Sequence, residues 1–234
     1  GGTYVFPVNP SVETLLALLP RIYPRGFISV PVRWAQLHER CLELIDAAGP
    51  GADPEALMRS VVGRRLRWGL SATGYLDPKV FHFFERNGVA LASGFGMTEG
   101  TGGITMTPPG RYLDNTHGLP LPGIRARLSE AGELQISGHY VARYLEDAGP
   151  GDLIPYPESP EKDFWLGTGD VFRRLENGYY QIVDRIKDIY KNNRGQTIAP
   201  LKVESKFIGV PGFLRTFLVG DGRPHNVLFI VPDR

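Results

Sequence analysis

The pattern of hydrophobic and polar positions changes along the chain near residue 110. Before that point, apolar residues recur at helical spacing, as in residues 32–47, and short apolar runs such as residues 27–30 lie between the helical stretches. A short polar side chain followed by proline predicts three helix starts, because the side chain caps the helix and proline suits its first position: Asn9-Pro10, Asp53-Pro54 and Asp77-Pro78. Strands separated by helices predict a largely parallel sheet with helices on its faces.

After residue 110 the helical spacing disappears, and turns rich in glycine and proline separate short apolar runs. Four of these runs predict antiparallel strands, near residues 124–128, 133–137, 171–175 and 179–184. Asn177-Gly178 predicts a hairpin between the last two runs, because both residues tolerate positive φ. From Arg185 onward there follow a charged turn, a helix candidate near residues 200–208, and two strands joined by Asp221-Gly222.

Composition excludes several classes of protein. The 234 residues carry 26 Lys and Arg against 25 Asp and Glu, and this balance argues against a protein that coats nucleic acid or an acidic membrane surface. The single cysteine, Cys41, lies among apolar residues, which predicts buried packing and a reducing, cytoplasmic compartment. No apolar run reaches the length of a transmembrane helix, so we expect at most peripheral membrane contact. A chain that begins with Gly1-Gly2 favours a fragment or a processed piece.

The densest unusual segment is residues 94–103, which read G-F-G-M-T-E-G-T-G-G and follow an apolar strand candidate at residues 89–92. Glycines let backbone N–H groups approach a phosphate, a threonine hydroxyl adds a donor, and a carboxylate beside them can hold Mg²⁺. The spacing fits neither a dinucleotide-binding fingerprint nor a Walker A loop. A flexible glycine loop without a ligand is the alternative.

Two later segments carry candidate chemistry. Thr168-Gly169-Asp170 predicts an aspartate on a tight glycine turn, where its carboxylate can accept two hydrogen bonds from a vicinal diol such as ribose. An ordinary surface turn is the alternative. In residues 184–191 charged and apolar residues alternate directly after a strand, a pattern typical of a solvated edge strand.

Taken together, these segments resemble motifs of the adenylate-forming superfamily, which includes acyl-CoA synthetases, adenylation domains of peptide synthetases and luciferases. The three matching motifs stand in family order: Y-G-x-T-E at residues 95–99 (with Phe95 for tyrosine), T-G-D at 168–170, and D-R-x-K-D-x-x-K at 184–191. Residues 118–123, 132–138 and 195–200 give supporting matches, and the resemblance covers residues from about 66 to the end. Residues 24–41 are more weakly similar to long-chain acyl-CoA synthetases.

The resemblance implies an α/β fold that is one part of the adenylate-forming fold. Residues 1–110 would belong to the large nucleotide-binding domain, residues 111–184 would form a small antiparallel β-barrel, and residues 185–234 would begin a mobile α+β C-terminal domain. The implied function is an ATP-dependent acyl-CoA synthetase acting on fatty or other hydrophobic carboxylic acids, with ATP, Mg²⁺ and CoA as cofactors.

The resemblance also implies a role for each matching residue. Thr98 would contact the α-phosphate, Glu99 would hold the metal, Phe95 would stack on adenine, and Lys187 would be the hinge of the mobile domain. Asp170 and Arg185 would contact the ribose. The remaining nucleotide-binding positions would be Ala72, Thr73, Gly74, Gly94, Gly96 and Lys191. Gly195, Gln196 and Thr197 would lie along the route of the CoA pantetheine arm.

Two family elements do not occur in these 234 residues: the Ser/Thr/Gly-rich phosphate loop that ends in lysine, and a lysine within residues 207–234. The missing N-terminal half of the same enzyme is therefore an expected partner, and the 234 residues alone would adenylate poorly. Two alternatives remain open. One is an adenylating ligase that acylates a carrier-protein thiol, and the other is a non-catalytic assembly module.

Overall fold

The computed structural model describes residues 2–9, 11–142, 164–208 and 210–232. Two compact units divide the chain: Gly1–Gly94 with Pro108–Asp114, and Phe95–Thr107 with Asn115–Arg234. The helices are α1 Val12–Ile22, α2 Pro31–Ala48, α3 Pro54–Val62, α4 Pro78–Arg86 and α5 Pro200–Glu204. The strands are β1 Gly26–Ser29, β2 Trp68–Ser71, β3 Ala90–Met97, β4 Gly102–Met106, β5 Leu119–Pro120, β6 Arg125–Leu128, β7 Glu133–Ser137, β8 Leu166–Arg174, β9 Tyr180–Arg185, β10 Tyr190–Lys191, β11 Thr197–Ile198, β12 Phe213–Val219 and β13 Val227–Pro232.

In the first unit β1, β2 and the start of β3 pair in parallel, which confirms the parallel sheet predicted from alternating strands and helices. Helix α2 packs on this sheet through Trp34, which is fully buried. Its indole N–H donates to the Leu70 carbonyl oxygen at 3.1 Å, and its ring meets Phe27 and Phe84 edge-on. A Cβ at Gly69 would lie 2.4 Å from the Trp34 ring, so glycine makes room for the indole on β2.

Two of the three predicted helix starts are confirmed. The Asp53 carboxylate accepts the N–H of Ala56 at 3.2 Å, and the Asp77 carboxylate accepts the N–H of Lys79 at 2.9 Å. Proline occupies the first position of both α3 and α4, where its missing N–H costs nothing.

The predicted start of the first helix is wrong. Ser11 caps α1 by accepting the N–H of Thr14 at 3.3 Å, while the Asn9 side chain accepts the N–H of Ser11; Pro10 lies outside the described residues. The helix runs through Pro20 and ends at Ile22. Its end is marked by a left-handed residue, Tyr23, at φ 49°.

The second unit contains a four-stranded antiparallel half-barrel with the strand order β6-β7-β8-β9. In β7, Leu134 and Ile136 are fully buried, whereas their neighbours Glu133 and Gln135 are partly exposed, so side chains alternate between the two faces. The buried core of this sheet consists of Ile104, Ile124, Leu134, Ile136, Phe172 and Tyr180. The predicted hairpin is confirmed, since Gly178 has φ 86° and the Asn177 side chain accepts the N–H of Tyr179 at 3.1 Å.

The glycine-rich segment 94–103 is mostly strand and not the predicted loop. β3 continues to Met97, a 3-10 turn covers Thr98–Gly100, and β4 begins at Gly102. A Cβ built on Gly96 would lie 1.7 Å from the carbonyl oxygen of Gly102. The two backbones are therefore too close for a side chain, and glycine is required for the approach of these strands.

The last segment follows the predicted pattern. α5 begins at Pro200 and is followed by a 3-10 turn at Ser205–Phe207, and β12 and β13 pair antiparallel across the turn that contains Asp221-Gly222. The Glu204 carboxylate accepts the N–H of Leu218 at 2.6 Å and so joins α5 to β12.

This architecture of an α/β layer, an antiparallel half-barrel and a final α+β segment confirms the predicted fold class. The three domain boundaries stay a prediction. Among the described residues, no helix is both long and apolar enough to span a bilayer.

Candidate functional site

Asp170 lies in an irregularity of β8. Three residues, Thr168, Gly169 and Asp170, stand opposite the single residue Leu134 of β7. Gly169 has φ 75°, and the Thr168 hydroxyl donates to the Leu134 carbonyl oxygen at 2.9 Å. The predicted tight turn is therefore a bulge within a strand, a device that redirects side chains locally.

Glu133, on the neighbouring strand, supports this bulge. The N–H of Gly169 donates to Glu133 Oε1 at 2.9 Å. A Cβ at Gly167 would lie 2.5 Å from the same oxygen, so glycine is needed for the carboxylate to reach the bulge. Glu133 thus helps to fix the backbone that carries Asp170.

The Asp170 carboxylate is buried, and its ion-pair partner among the described residues is Arg185. Asp170 is 5% exposed, and its cross-strand neighbour Arg185 approaches it with an Nε–Oδ1 distance of 3.4 Å. The Arg185 side chain is itself 72% exposed. Burial raises the pKa of Asp170, the Arg185 charge opposes that shift, and the nearby Asp184, Asp188 and Glu133 charges add to it. The carboxylate therefore keeps acceptor capacity for donors from a ligand.

Aromatic rings pack beside the strand that carries Asp170. The Phe95 ring, which is half-buried, meets the buried Phe172 ring edge-on with the centroids 4.9 Å apart. Phe172 lies two residues after Asp170 on β8. His117 contacts both rings, with its centroid 6.4 Å from Phe95 and 6.0 Å from Phe172. Within the second unit, the predicted base-stacking ring thus packs on a side chain of the strand that carries the predicted ribose carboxylate.

Thr98 and Glu99 stand at the turn between β3 and β4. The Thr98 side chain is exposed, and the backbone carbonyl oxygen of Thr98 accepts the N–H of Thr101 at 2.9 Å. Glu99 is half-buried, and its backbone carbonyl oxygen accepts the N–H of Ala142 at 2.7 Å. Gly94 and Gly96 belong to β3. The short turn presents a hydroxyl and a carboxylate side by side.

Residues Ala72, Thr73 and Gly74 follow β2 directly in the first compact unit. Thr73 has φ 73°, an uncommon conformation for a residue with a branched side chain. Strain of this kind is often found at functional sites. Thr73 and Gly74 are exposed at the carboxyl end of a parallel strand, where α/β folds bind ligands.

The D-R-x-K-D motif divides its residues between interior and surface. Asp184 is 2% exposed. Its carboxylate accepts the backbone N–H of Leu201 in α5 and the backbone N–H of Arg185, both at 2.8 Å. Burial raises the pKa of Asp184, whereas these two hydrogen bonds oppose the shift. Lys187 is exposed in the turn that follows β9. The position of Lys187 is compatible with a hinge, which stays a prediction.

A compact loop follows at residues 192–196. The buried Asn192 side chain accepts the N–H groups of Arg194 and Gln196, each at 3.0 Å, and its amide donates to the Gln196 side chain at 2.8 Å. Gly195 has φ 76°, which favours glycine at the tip. Lys191 and Thr197 pair across β10 and β11 beside the loop, and the whole of residues 193–197 is exposed.

Sequence reasoning missed four residues: Glu133, Phe172, His117 and Asp184. Glu133 and Asp184 lie inside motifs that carried the resemblance, so their presence there was the available signal. Phe172 lies two residues after Asp170 of the T-G-D motif, the spacing that places residues on one face of a strand, although the pairing of β8 with β9 is irregular between Val171 and Phe172. His117 carried no signal, because only the fold brings its ring to Phe95 and Phe172.

Comparison with known proteins adds sequence relatives to this geometry. A family model described as AMP-binding enzyme matches residues 1–144. Long-chain-fatty-acid–CoA ligase 5 of Mus musculus is 31% identical over 186 residues, covering 74% of this chain and 26% of that protein. Long-chain-fatty-acid–CoA ligase 6 of Rattus norvegicus is 30% identical over 190 residues, covering 75% of this chain and 26% of that protein. The chain spans less than a third of the length of the curated relatives it matches, 29% and 26% for two of them.

Solved structures share the fold. The O-succinylbenzoate coenzyme A synthetase of Bacillus subtilis, in complex with ATP and magnesium ion, has a TM-score of 0.69 at 20% identity, over 93% of this chain and 43% of that chain. A benzoate CoA ligase from Burkholderia xenovorans has a TM-score of 0.67 at 23% identity, over 96% and 44%. The family model spans more than half of the sequence, and the chain belongs to the AMP-binding enzyme family.

Proposed function

We propose that the intact protein containing this chain is an ATP-dependent acyl-CoA synthetase. It adenylates a carboxylic acid and transfers the acyl group to CoA, and its acids are fatty or otherwise hydrophobic. The observation that carries the proposal is the buried carboxylate of Asp170, with Arg185 3.4 Å away, on the strand that also carries Phe172, the ring against which Phe95 packs. The choice of fatty acids is supported by the long-chain-fatty-acid–CoA ligases among the relatives.

Asp170 suits the ribose of a nucleotide. A carboxylate accepts hydrogen bonds from two neighbouring hydroxyls, and the diol of a ligand would supply both donors. The exposed Arg185 beside it adds a cationic donor to the same sugar. Phe95 offers an aromatic face for adenine, and Ala72, Thr73, Gly74, Gly94, Gly96 and Lys191 complete the proposed nucleotide contacts.

Thr98 and Glu99 suit the phosphates and a divalent metal. Among the described residues no three acidic, histidine or cysteine side chains gather as a metal site. Mg²⁺ commonly binds through one or two carboxylates together with substrate phosphates and water, so a single half-buried carboxylate at position 99 fits that mode. Bound Mg²⁺ would supply stabilisation of charge on phosphate oxygens. The Thr98 hydroxyl would donate to a phosphate oxygen in the same region.

The surface residues that follow the half-barrel suit thioester formation. Lys187 would be the hinge about which the following segment turns, and the exposed loop at Gly195, Gln196 and Thr197 would line the route of the CoA arm. Rotation of that segment after adenylation would replace the groups that serve adenylation with those that serve thioester formation at the acyl-adenylate. A cytoplasmic location belongs to this proposal and rests on the single cysteine.

Carboxylate-dependent exchange between ATP and pyrophosphate tests the first half-reaction. The intact enzyme should catalyse the exchange only with an added fatty acid, and Glu99→Ala should reduce it by at least tenfold. Glu130→Ala is the matched control, because Glu130 is exposed on the turn before β7. Exchange that is equal in both variants and the unaltered enzyme would contradict the role of Glu99.

Acceptor competition tests the second half-reaction. The enzyme is given ATP, a fatty acid and equal concentrations of CoA and an acyl carrier protein. Acyl-CoA as the sole product is the expected result. Acylation of the carrier protein would instead favour the alternative ligase.

A further inference from the structure

His117 occupies an unusual place for an ionisable side chain. Its ring packs at 85° to Phe95 and at 75° to Phe172. Its backbone N–H donates to the Tyr180 carbonyl oxygen at 2.8 Å, which fixes the residue against β9. The imidazole therefore packs against the Phe95–Phe172 pair, whose two rings contact each other directly.

The Nδ1 atom of His117 is buried and has no hydrogen-bond partner among the described residues. Native proteins rarely leave a buried polar atom unpaired, and such exceptions often have a functional reason or a partner that comes from outside the chain. Burial also lowers the pKa of His117 to about 4, so the ring is neutral near pH 7. A neutral imidazole has one donor nitrogen and one acceptor nitrogen.

An apolar side chain would fill this position without an unpaired nitrogen. The two rings that contact the imidazole are apolar, and the Phe95–Phe172 contact exists without help from His117. Packing alone therefore does not account for an imidazole here. A ligand stacked on Phe95 would lie against a ring that the His117 imidazole itself contacts, and a polar group of that ligand would be the source of the missing partner.

We propose that His117 is a specificity-determining residue of the nucleotide site, whose Nδ1 exchanges a hydrogen bond with the bound nucleotide. The partner atom belongs either to the edge of the base or to the sugar. This inference rests on the proposed function, since it requires the nucleotide to occupy the region bounded by Phe95 and Asp170.

Two substitutions separate the hydrogen bond from packing. His117→Leu keeps an apolar volume without a hydrogen-bonding group, and His117→Asn places an amide group near the position of Nδ1. In the intact enzyme, His117→Leu should raise the KM for ATP about tenfold, while the KM for the fatty acid and kcat change less than twofold. His117→Asn should hold the KM for ATP within about threefold of the unaltered enzyme.

Nucleotide analogues identify the partner atom. Binding is measured by calorimetry with ATP, with 2′-deoxy-ATP and 3′-deoxy-ATP, and with purine riboside triphosphate, which lacks the exocyclic amine. The analogue that lacks the contacted group should bind the unaltered enzyme and His117→Leu equally, whereas ATP should distinguish them about tenfold. Convergence with a deoxy analogue assigns the sugar, and convergence with the purine riboside assigns the base edge.

Several outcomes would overturn the inference. If His117→Leu binds ATP as tightly as the unaltered enzyme, Nδ1 has a water or no partner at all. If His117→Leu and His117→Asn weaken all four nucleotides equally and lower the melting temperature, the residue is structural. If the unaltered enzyme binds no ATP while remaining folded, the proposed function itself fails, and the inference fails with it.

Discussion

Replacing Asp170 by asparagine should weaken nucleotide binding and at the same time stabilise the ligand-free protein. The carboxylate is 5% exposed, and its ion pair with Arg185 is long at 3.4 Å. Asparagine has nearly the same shape and keeps one acceptor oxygen, but it removes the buried charge. The substitution therefore isolates the contribution of the charge.

The two magnitudes follow from the surroundings of Asp170. Burial is the largest cause of its raised pKa, and each unit of such a rise costs the folded state about 1.4 kcal/mol. The pair with Arg185 offsets only about 0–1 kcal/mol, because the guanidinium is 72% exposed. We expect Asp170→Asn to raise the free energy of unfolding by on the order of 1 kcal/mol at pH 7. Hydrogen bonds from a ribose to a charged group contribute about 1.5–3 kcal/mol, so affinity for ATP should fall by roughly ten- to a hundredfold.

The pH dependence of the stability difference tests independently whether Asp170→Asn stabilises the protein. A carboxyl whose folded pKa lies above its unfolded value of 3.8 destabilises the fold increasingly as pH rises from the unfolded pKa to the folded pKa, and by a constant amount above that. The advantage of Asp170→Asn in urea unfolding should therefore be absent well below pH 3.8 and complete at neutral pH. Asp46→Asn is the matched control, because Asp46 is exposed on α2 and does not contribute to the raised pKa of Asp170. An Asp170→Asn variant that is less stable than the unaltered protein at pH 7 would contradict the cost of the buried charge, and one that binds ATP equally well in calorimetry would contradict its role at the ribose.

Three further predictions concern the backbone and the core. Glu133→Ala should raise the KM for ATP several-fold and lower the melting temperature, since the Gly169 N–H loses its acceptor, whereas Glu133→Gln should largely restore both. Gly96→Ala should destabilise the protein by at least about 2 kcal/mol in urea unfolding, because the new methyl group would meet the opposite strand's carbonyl oxygen; Gly2→Ala, in open space, should change nothing. Cys41 should resist maleimide at pH 8 until urea unfolds the chain, because burial raises the pKa of its thiol to about 12; labelling of the native protein at the rate of the unfolded one would contradict this.

Local signals in the sequence predicted the elements that depend on local chemistry. Asp53 and Asp77 cap their helices through backbone groups two or three residues away, so the chain itself carries the instruction. The hairpin at Asn177-Gly178 is likewise set locally, by the positive φ of Gly178 and by the Asn177 side chain, which accepts the N–H of Tyr179. Hydrophobic spacing also located most strands, although β8 begins well before the predicted residue 171.

Long-range contacts set the features that sequence reasoning missed. The bulge at Asp170 depends on Glu133, which is 36 residues from Gly169 along the chain. The many glycines in residues 94–103 suggested a loop, but glycine suits close contacts between strands as well as loops. Only the close approach of Gly96 to the next strand, which is visible in the fold, distinguishes the two. The place of His117 depends on two rings from other strands, which no spacing in the sequence encodes.

The split of the D-R-x-K-D motif constrains how any hinge at Lys187 could work. Neighbouring residues of a strand point to opposite faces, so β9 ends with Asp184 in the interior and Arg185 at the surface beside Asp170. The Asp184 carboxylate holds the N–H of Leu201 at 2.8 Å, and the two residues lie on opposite sides of Lys187. A rotation about Lys187 therefore has to break this bond, at a cost of about 1.5–3 kcal/mol for a charged acceptor. The hinge that the motif implies is thus held by the first residue of the same motif, and new contacts in the rotated state must offset that cost.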